Sequence, residues 1–274
     1  MDEVLRRRSV GAPAARSLLL TVLGEFVLPR PGGVWQEALL GALGLLGFRD
    51  AAARQAVARS SREGWLRAER VGRRSRIHLS DATAELLRDG ARRIYSFGAP
   101  VAWDGRWLLV ALRVPEPQRR QRHRLTTRLA WSGFGSLGGG LWITPHVDRE
   151  AQVLGAVDGA GAAVELVSFR AELGALGDTT RVLESAWDLP GLRDHYAQFL
   201  ADFGRLRARS PERVFAAQTG LVHAWRKFPF IDPDLPDDLL PRDWPRRRAF
   251  QLFTDRHERW SATAQEHFDA LSPT

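Results

Sequence analysis

Apolar side chains recur at helical spacing at the start of the chain. Leu19, Val22, Leu23 and Phe26 predict a first amphipathic helix over residues 14–27, and Trp35, Leu39, Leu43 and Leu46 predict a second over 35–46. Prolines and glycines at 29–33 separate the two helices.

A third helix is predicted over residues 51–63, with Asp50 as its N-cap. Its buried stripe would consist of Ala53, Ala56, Val57 and Ser60. The opposite face is small and basic, which suits close approach to DNA bases. This outward face comprises Ala51, Arg54, Gln55, Ala58, Arg59 and Arg62.

Two alternating segments, residues 65–71 and 75–79, predict strands on either side of Gly72-Arg73-Arg74, and a fourth helix follows over 82–93 from Ser80 or Asp81. A helix that leads into a basic hairpin indicates a winged helix-turn-helix that reads duplex DNA. The alternative is a three-helix domain used for protein contacts. The predicted DNA-binding residues are Arg49, Ala51, Arg54, Gln55, Ala58, Arg59, Arg62, Arg73, Arg74 and Arg76.

After a linker at 96–105, the pattern predicts a β-α-β-α-β series. Its elements are a strand at 106–114, a helix at 118–131, a strand at 141–144, a helix near 148–157 and a strand at 163–169. One further strand would make this a ferredoxin-like α/β sandwich. Residues 133–138 match the glycine pattern of a dinucleotide-binding loop, but a helix precedes them and a strand follows, so we interpret them as a helix-to-strand turn.

Helical periodicity dominates from about residue 178 onwards. Tyr196, Phe199 and Phe203 belong to one apolar stripe, and Ser210-Pro211 has the form of a capped helix start. The predicted fold is α+β and multidomain: a winged helix-turn-helix at 1–95, a central ferredoxin-like domain at 96–177 and a mainly helical domain at 178–274.

Positive charge is concentrated in the first third of the chain. The net charge is +8, and residues 1–95 hold 17 Arg against 10 Asp or Glu, which gives +7. This distribution is expected if only that third faces a polyanion. The absence of cysteine excludes disulfides and fits a cytoplasmic protein. No apolar run is long enough to span a membrane, and Glu25 interrupts the run after Arg6-Arg7-Arg8, which favours an amphipathic helix over an export signal.

Two charged clusters allow alternative interpretations. Arg120, Arg124 and Arg128 share one helical face close to Trp131; this face is either solvated or binds an anionic ligand such as a coenzyme A phosphate. The aspartates at 232, 234, 237 and 238 favour a stiff, solvated loop over a metal cage. No spacing of histidines or nucleophiles indicates a catalytic, metal or cofactor site.

Several stretches taken together resemble the PaaX family of bacterial transcriptional regulators. The most specific is WRKFPFIDPDLP at 225–236, continued by LLP at 239–241 and WP at 244–245. The others are ARSLLL at 15–20, ARQA at 53–56, GWL at 64–66, GRR at 72–74, RIY at 93–95, WDGRW at 103–107, WSGFG at 131–135 and LWITPH at 141–146. One departure is Ser60, where a larger apolar residue is expected.

The resemblance implies a winged helix, a central domain like the small CRISPR-associated endoribonucleases and a helical C-terminal domain. It also implies a homodimer that binds operator DNA and represses aromatic catabolism, chiefly of phenylacetate, with an aryl-coenzyme A thioester such as phenylacetyl-coenzyme A as its effector. The alternative is a metal-dependent nuclease, which needs an Asp at the end of the first central strand. Residues 112–116 contain none, so we expect the fold without the chemistry.

Overall fold

The computed structural model describes residues 15–99, 102–115, 118–151, 153 and 164–272. It is an α+β structure with two antiparallel sheets. The helices are α1 (Ala15–Val22, continued by a π-turn at Leu23–Val27), α2 (Gln36–Leu45), α3 (Asp50–Arg62), α4 (Asp81–Ser96), α5 (Arg119–Trp131), α6 (Thr179–Ala186), α7 (Leu189–Gly204), α8 (Pro211–Trp225), α9 (Phe228–Ile231) and α10 (Arg246–Ala270). The strands are β1 (Val34–Trp35), β2 (Leu66–Val71), β3 (Arg74–Leu79), β4 (Trp107–Arg113), β5 (Gly135–Gly138), β6 (Leu141–Thr144) and β7 (Glu165–Ala171).

The chain divides into two compact units. Unit 1 contains the described residues up to Ser96 together with Phe199–Arg226 and the described residues from Arg248 onwards. Unit 2 contains the described residues of Phe97–Gln198 and Lys227–Arg247. The division into domains at residues 95 and 177 stays a prediction. Within the described ranges, no helix is long and apolar enough to cross a membrane.

Unit 1 begins with three helices and a hairpin, as the periodicity predicts. The buried stripe of α3 is the expected set, Ala53, Ala56, Val57 and Ser60. The prediction that Asp50 caps this helix is wrong. Arg49 occupies the N-cap position, and Asp50 is the first helical residue, whose carboxylate pairs with Arg54 one turn later.

Aromatic side chains from distant parts of the sequence form the core of unit 1. Phe26 of the π-turn lies 4.8 Å from Phe215 of α8, measured between ring centroids, and Trp225 of α8 stacks at 4.8 Å on Phe253 of α10. The indole of Trp225 also donates a hydrogen bond to the carbonyl of Ile94 in α4. Helices α8 and α10 therefore complete the core of the unit that carries the hairpin.

Glu25 is the centre of a polar network inside unit 1. Its carboxylate accepts hydrogen bonds from Tyr95 Oη and from Gln218 Nε2, and it lies 3.0 Å from His257 Nε2. Burial beside this carboxylate raises the pKa of Tyr95, because a phenolate would be both desolvated and repelled. One side chain on the π-turn thus connects α1 to α4, α8 and α10.

The sheet of unit 2 has the strand order β5-β6-β4-β7, and every neighbouring pair is antiparallel. Strands β4, β6 and β7 and helix α5 confirm the predicted elements within two residues of their bounds. Strand β5 is not predicted, so the interpretation of residues 133–138 as a turn is only partly right. The chain turns at Gly133, and the strand already begins at Gly135. Half of the helix predicted near 148–157 lies outside the described residues. The described part shows a short 3-10 turn at Val147–Arg149, followed by helical residues at 150, 151 and 153.

The prediction of a solvated loop at residues 232–238 is only partly right. Asp237 and Asp238 are exposed, but Asp232 is buried and Asp234 half-buried beside a buried guanidinium. Arg246 is 2% exposed, and its nitrogens lie 2.6 Å from Asp237, 3.5 Å from Asp234 and 3.9 Å from Asp232. Asp232 also accepts a hydrogen bond from the buried Tyr196 hydroxyl. Burial raises the pKa of Asp232 and raises that of Asp234 to about 6, although Arg246 opposes both shifts.

Candidate nucleic-acid interface

Helix α3 presents one exposed basic face. Because its apolar stripe is buried, the residues on the other side of the helix face solvent. The structure places every predicted outward residue in an exposed position, and Arg49 is exposed at the N-cap. These residues are Ala51, Arg54, Gln55, Ala58, Arg59 and Arg62.

Two of these arginines form ion pairs along the helix. Arg54 Nε lies 2.7 Å from Asp50, and Arg59 Nε lies 2.9 Å from Glu63. The hydrogen bond to Asp50 raises the pKa of Arg54, so the guanidinium remains charged. Exposed pairs one helical turn apart contribute little stability. These guanidinium groups can therefore leave the carboxylates and bind other anions at a small cost in free energy.

The hairpin β2–β3 ends in a tight turn with an arginine at its tip. Val71 pairs with Arg74, so Gly72 and Arg73 form a two-residue turn. Gly72 has a φ of +62°, which glycine adopts without strain at this position of a hairpin. Arg73 is exposed at the tip.

Arg74 and Arg76 are less accessible than Arg73 because both lie against Trp35. The guanidinium carbon of Arg76 is 4.6 Å from the centroid of the Trp35 ring, and that of Arg74 is 6.0 Å away. Trp35 belongs to β1, which pairs with β3 and sets Trp35 opposite Arg76. A tryptophan face attracts a guanidinium, so the ring holds both side chains on one face of the hairpin.

Two exposed arginines on β2 are not among the predicted DNA-binding residues. Arg67 lies 3.2 Å from Asp81, and Arg70 donates a hydrogen bond to the carbonyl of Gly72. The alternation of residues 65–71 could have placed them on the hairpin. No local sequence pattern indicates the contact between Trp35 and Arg76, because 41 positions separate the two residues.

A second basic row lies in unit 2. Arg120, Arg124, Arg128 and Trp131 are all exposed on α5. A cavity of about 180 Å³ lies in the same unit, beside the start of α7, and the arginines of this row are not among its lining residues. The cavity is lined by Trp187, Asp188, Gly191, Leu192, His195, Ile231 and Pro233.

The end of β4 holds no carboxylate. Its last residue is Arg113, whose guanidinium lies 3.6 Å from Glu165 of β7. Across the described ranges, no group of three or more acidic or histidine side chains could hold a metal ion.

These features define a two-unit α+β protein whose first unit displays a basic helix and a basic hairpin. Three family models match the chain in order: PaaX-like protein at residues 14–83, PaaX protein central Cas2-like domain at 100–183, and PaaX-like protein C-terminal domain at 187–270. The chain therefore belongs to the PaaX family.

A relative and a solved structure extend this finding. The chain is 31% identical over 259 residues to the transcriptional repressor PaaX of Escherichia coli strain K12, which covers 90% of this chain and 81% of the relative. The fold is also similar to that of Rv0674, an uncharacterized protein of Mycobacterium tuberculosis, with a TM-score of 0.64, 24% identity and coverage of 94% of this chain and 98% of that one.

Proposed function

We propose that this chain is a DNA-binding transcriptional repressor of the PaaX type. The family assignment and the repressor from Escherichia coli support this proposal. The observation that carries it is the exposed basic face of α3 in the segment that also holds almost all of the excess positive charge.

The first part of unit 1 is proposed to act as a winged helix-turn-helix. Three helices precede an antiparallel hairpin, and the exposed face of the third helix has small residues between its arginines. In such a domain, α3 would lie in the major groove, and Arg54 would contact base edges or phosphate. Arg73 and Arg74, together with Arg67 and Arg70, would contact the backbone or the minor groove.

The sheet of unit 2 is proposed to be ferredoxin-like. Its strand order, and the β-α-β-β series from β4 to β6, agree with that fold. The nuclease alternative needs an aspartate at the end of the first central strand, and among the described residues β4 ends in Arg113 instead.

The repressor is further proposed to act as a homodimer released by an aryl-coenzyme A thioester, as the family resemblance implies. The arginine row on α5 offers cations for the phosphates of such an effector. The cavity beside α7 is lined in part by Trp187, Leu192 and Ile231, which offer apolar contacts for the aryl group. Effector binding would favour a state in which two recognition helices no longer match major grooves about 34 Å apart.

Gel-shift titration tests the repressor proposal. The probes are duplex fragments from upstream of this gene and its neighbours, with scrambled duplexes as competitors. Arg54→Ala should weaken binding about tenfold, since base or charged phosphate contacts contribute about 1–3 kcal/mol. Arg181→Ala, an exposed arginine on α6, is the matched control and should bind like the wild type.

Added salt provides the second readout of the same titration. Affinity should fall linearly with the logarithm of the salt concentration, with a shallower slope for Arg54→Ala than for the wild type. A wild-type protein that ignores duplex DNA at low ionic strength, or binds it with no response to salt, would contradict the proposal.

A further inference from the structure

Asp50 and Arg54 form a pair on the exposed face of α3, in its first two turns. Arg54 Nε donates a hydrogen bond to Asp50 Oδ2 at 2.7 Å, and each side chain is more than half exposed. Within the described ranges, the terminal nitrogens of Arg54, Nη1 and Nη2, have no hydrogen-bond partner. The helix therefore fixes the guanidinium at Nε and leaves the two terminal nitrogens available.

A second carboxylate acts on Arg54. The pKa of Arg54 is raised first by the hydrogen bond and charge of Asp50, and further by the charge of Glu37 in the first turn of α2. Two carboxylates thus act on one guanidinium, and both would repel a phosphate brought to Arg54. The edge of a base carries no net charge and meets no such repulsion.

Other arginines of the candidate interface are placed differently. In the part of the chain that the structure describes, Arg62 on α3 and Arg73 at the hairpin tip have no carboxylate partner. Glu63, the partner of Arg59, is shared with Arg16 of α1. These arginines can bind phosphates without bringing an unbalanced carboxylate towards them, which is not true of Arg54.

We propose that Asp50 is a positioning residue that holds Arg54 for the recognition of guanine in operator DNA. A recognition helix contacts base edges with its N-terminal residues, and Arg54 lies in the second turn of α3. With Nε on Asp50, the two terminal nitrogens can donate in parallel to O6 and N7 of guanine. The DNA excludes water from this contact, which strengthens the pair between Asp50 and Arg54.

Asp50 also lowers the affinity for other sequences. Adenine, cytosine and thymine do not present two neighbouring acceptors in the major groove, so Arg54 gains there only by leaving Asp50 for a phosphate. The exposed pair separates at a small cost in the free protein. In a complex with DNA, the abandoned carboxylate would lie unpaired beside the phosphates, which is costly. Asp50 therefore increases discrimination more than affinity.

This inference rests on the repressor proposed above and names the base that its recognition helix reads. Selection from a randomised duplex library tests it, followed by gel-shift titration of the selected duplex and its single-base variants. The wild type should select guanine at one fixed position, and any other base there should weaken binding about tenfold or more. Arg54→Ala should abolish this preference.

Asp50→Ala is the variant that separates positioning from a structural role. It should reduce the penalty for a wrong base to about threefold or less, while its affinity for scrambled duplexes stays equal or rises. A cation in the groove displaces counter-ions whether it faces a base or a phosphate. Base preference, rather than the salt slope, is therefore the deciding readout.

Asp89→Ala is the matched control, because Asp89 pairs with Arg92 on α4 and its loss removes the same charge from unit 1. It should keep the full preference for guanine, and far-UV circular dichroism checks that every variant is folded. The inference is overturned if Asp50→Ala keeps the full preference, if it weakens all duplexes equally, or if Arg54→Ala leaves the preference unchanged. In each of these cases the repressor proposal stands, whereas a wild type that binds no duplex overturns both.

Discussion

Replacing Arg246 with alanine should strongly destabilise the protein. The side chain is 2% exposed, and its guanidinium is the shared counter-ion of Asp232, Asp234 and Asp237, at 3.9, 3.5 and 2.6 Å. Removing one partner of a buried ion pair costs about 3–5 kcal/mol, because the remaining charge is left desolvated. At about 2–4 °C per kcal/mol for a chain of this size, the Tm should fall by roughly 6–20 °C.

The pH dependence of this loss identifies its cause. Burial already raises the pKa of Asp234 from 3.8 to about 6. Protonated Asp234 therefore stabilises the folded state, and this stabilisation is lost as the pH rises through 6. Without Arg246 the pKa of Asp232 and Asp234 should rise further. The deficit of Arg246→Ala should therefore be larger at pH 8 than at pH 5.

Differential scanning fluorimetry at both pH values measures the deficit, and Arg247→Ala is the control, since Arg247 is the exposed neighbour on the same helix. A Tm within 2 °C of the wild type, or an equal deficit at pH 5 and pH 8, would refute the reasoning.

Two smaller perturbations test local geometry in unit 2, both by thermal unfolding. Asp178 accepts a hydrogen bond from the Thr180 amide at the start of α6. Asp178→Ala should therefore lower the free energy of unfolding by about 1 kcal/mol, while Asp178→Ser should stay near the wild type. Equal losses of stability in the two variants would contradict the capping role. Gly133 and Gly138 both have φ above +80°, but a Cβ at Gly133 would lie 2.1 Å from Arg149 and one at Gly138 would meet nothing within 4 Å. Gly133→Ala should therefore lower the Tm more than Gly138→Ala, and a reversed order would show that the crowding is relieved elsewhere.

The helices of unit 1 could be predicted because each carries its own apolar stripe. The stripe of α3 needs no information from elsewhere, and it directs Arg54 and Arg59 outward. Strand β5 could not be predicted in the same way. It contains no β-branched or aromatic residue, and Gly135 is needed there because a Cβ would lie 2.6 Å from Ala186 and Trp187 of the segment packed on it.

In the candidate interface, too, some features follow from local spacing and others depend on tertiary contacts. The exposed arginines of α3 and the turn at Gly72 follow from local spacing. The half-buried state of Arg76 does not, because Trp35 reaches it only after β1 pairs with β3. The burial of Asp232 does not follow from local spacing either, since an aspartate followed by a proline indicates a solvent-exposed turn until Arg246 is folded onto it.

By itself, the sequence determined the helices with regular apolar spacing, the central strands and the excess of positive charge before residue 96. The helices and strands depend on residues that are close together in the sequence, and the charge excess depends on composition alone. The tertiary structure alone decided that α8 and α10 pack into unit 1, that Arg246 is buried among carboxylates and that β7 lies at a sheet edge. Each of these depends on which distant segments meet, and that choice is made by packing the whole core rather than by any local period.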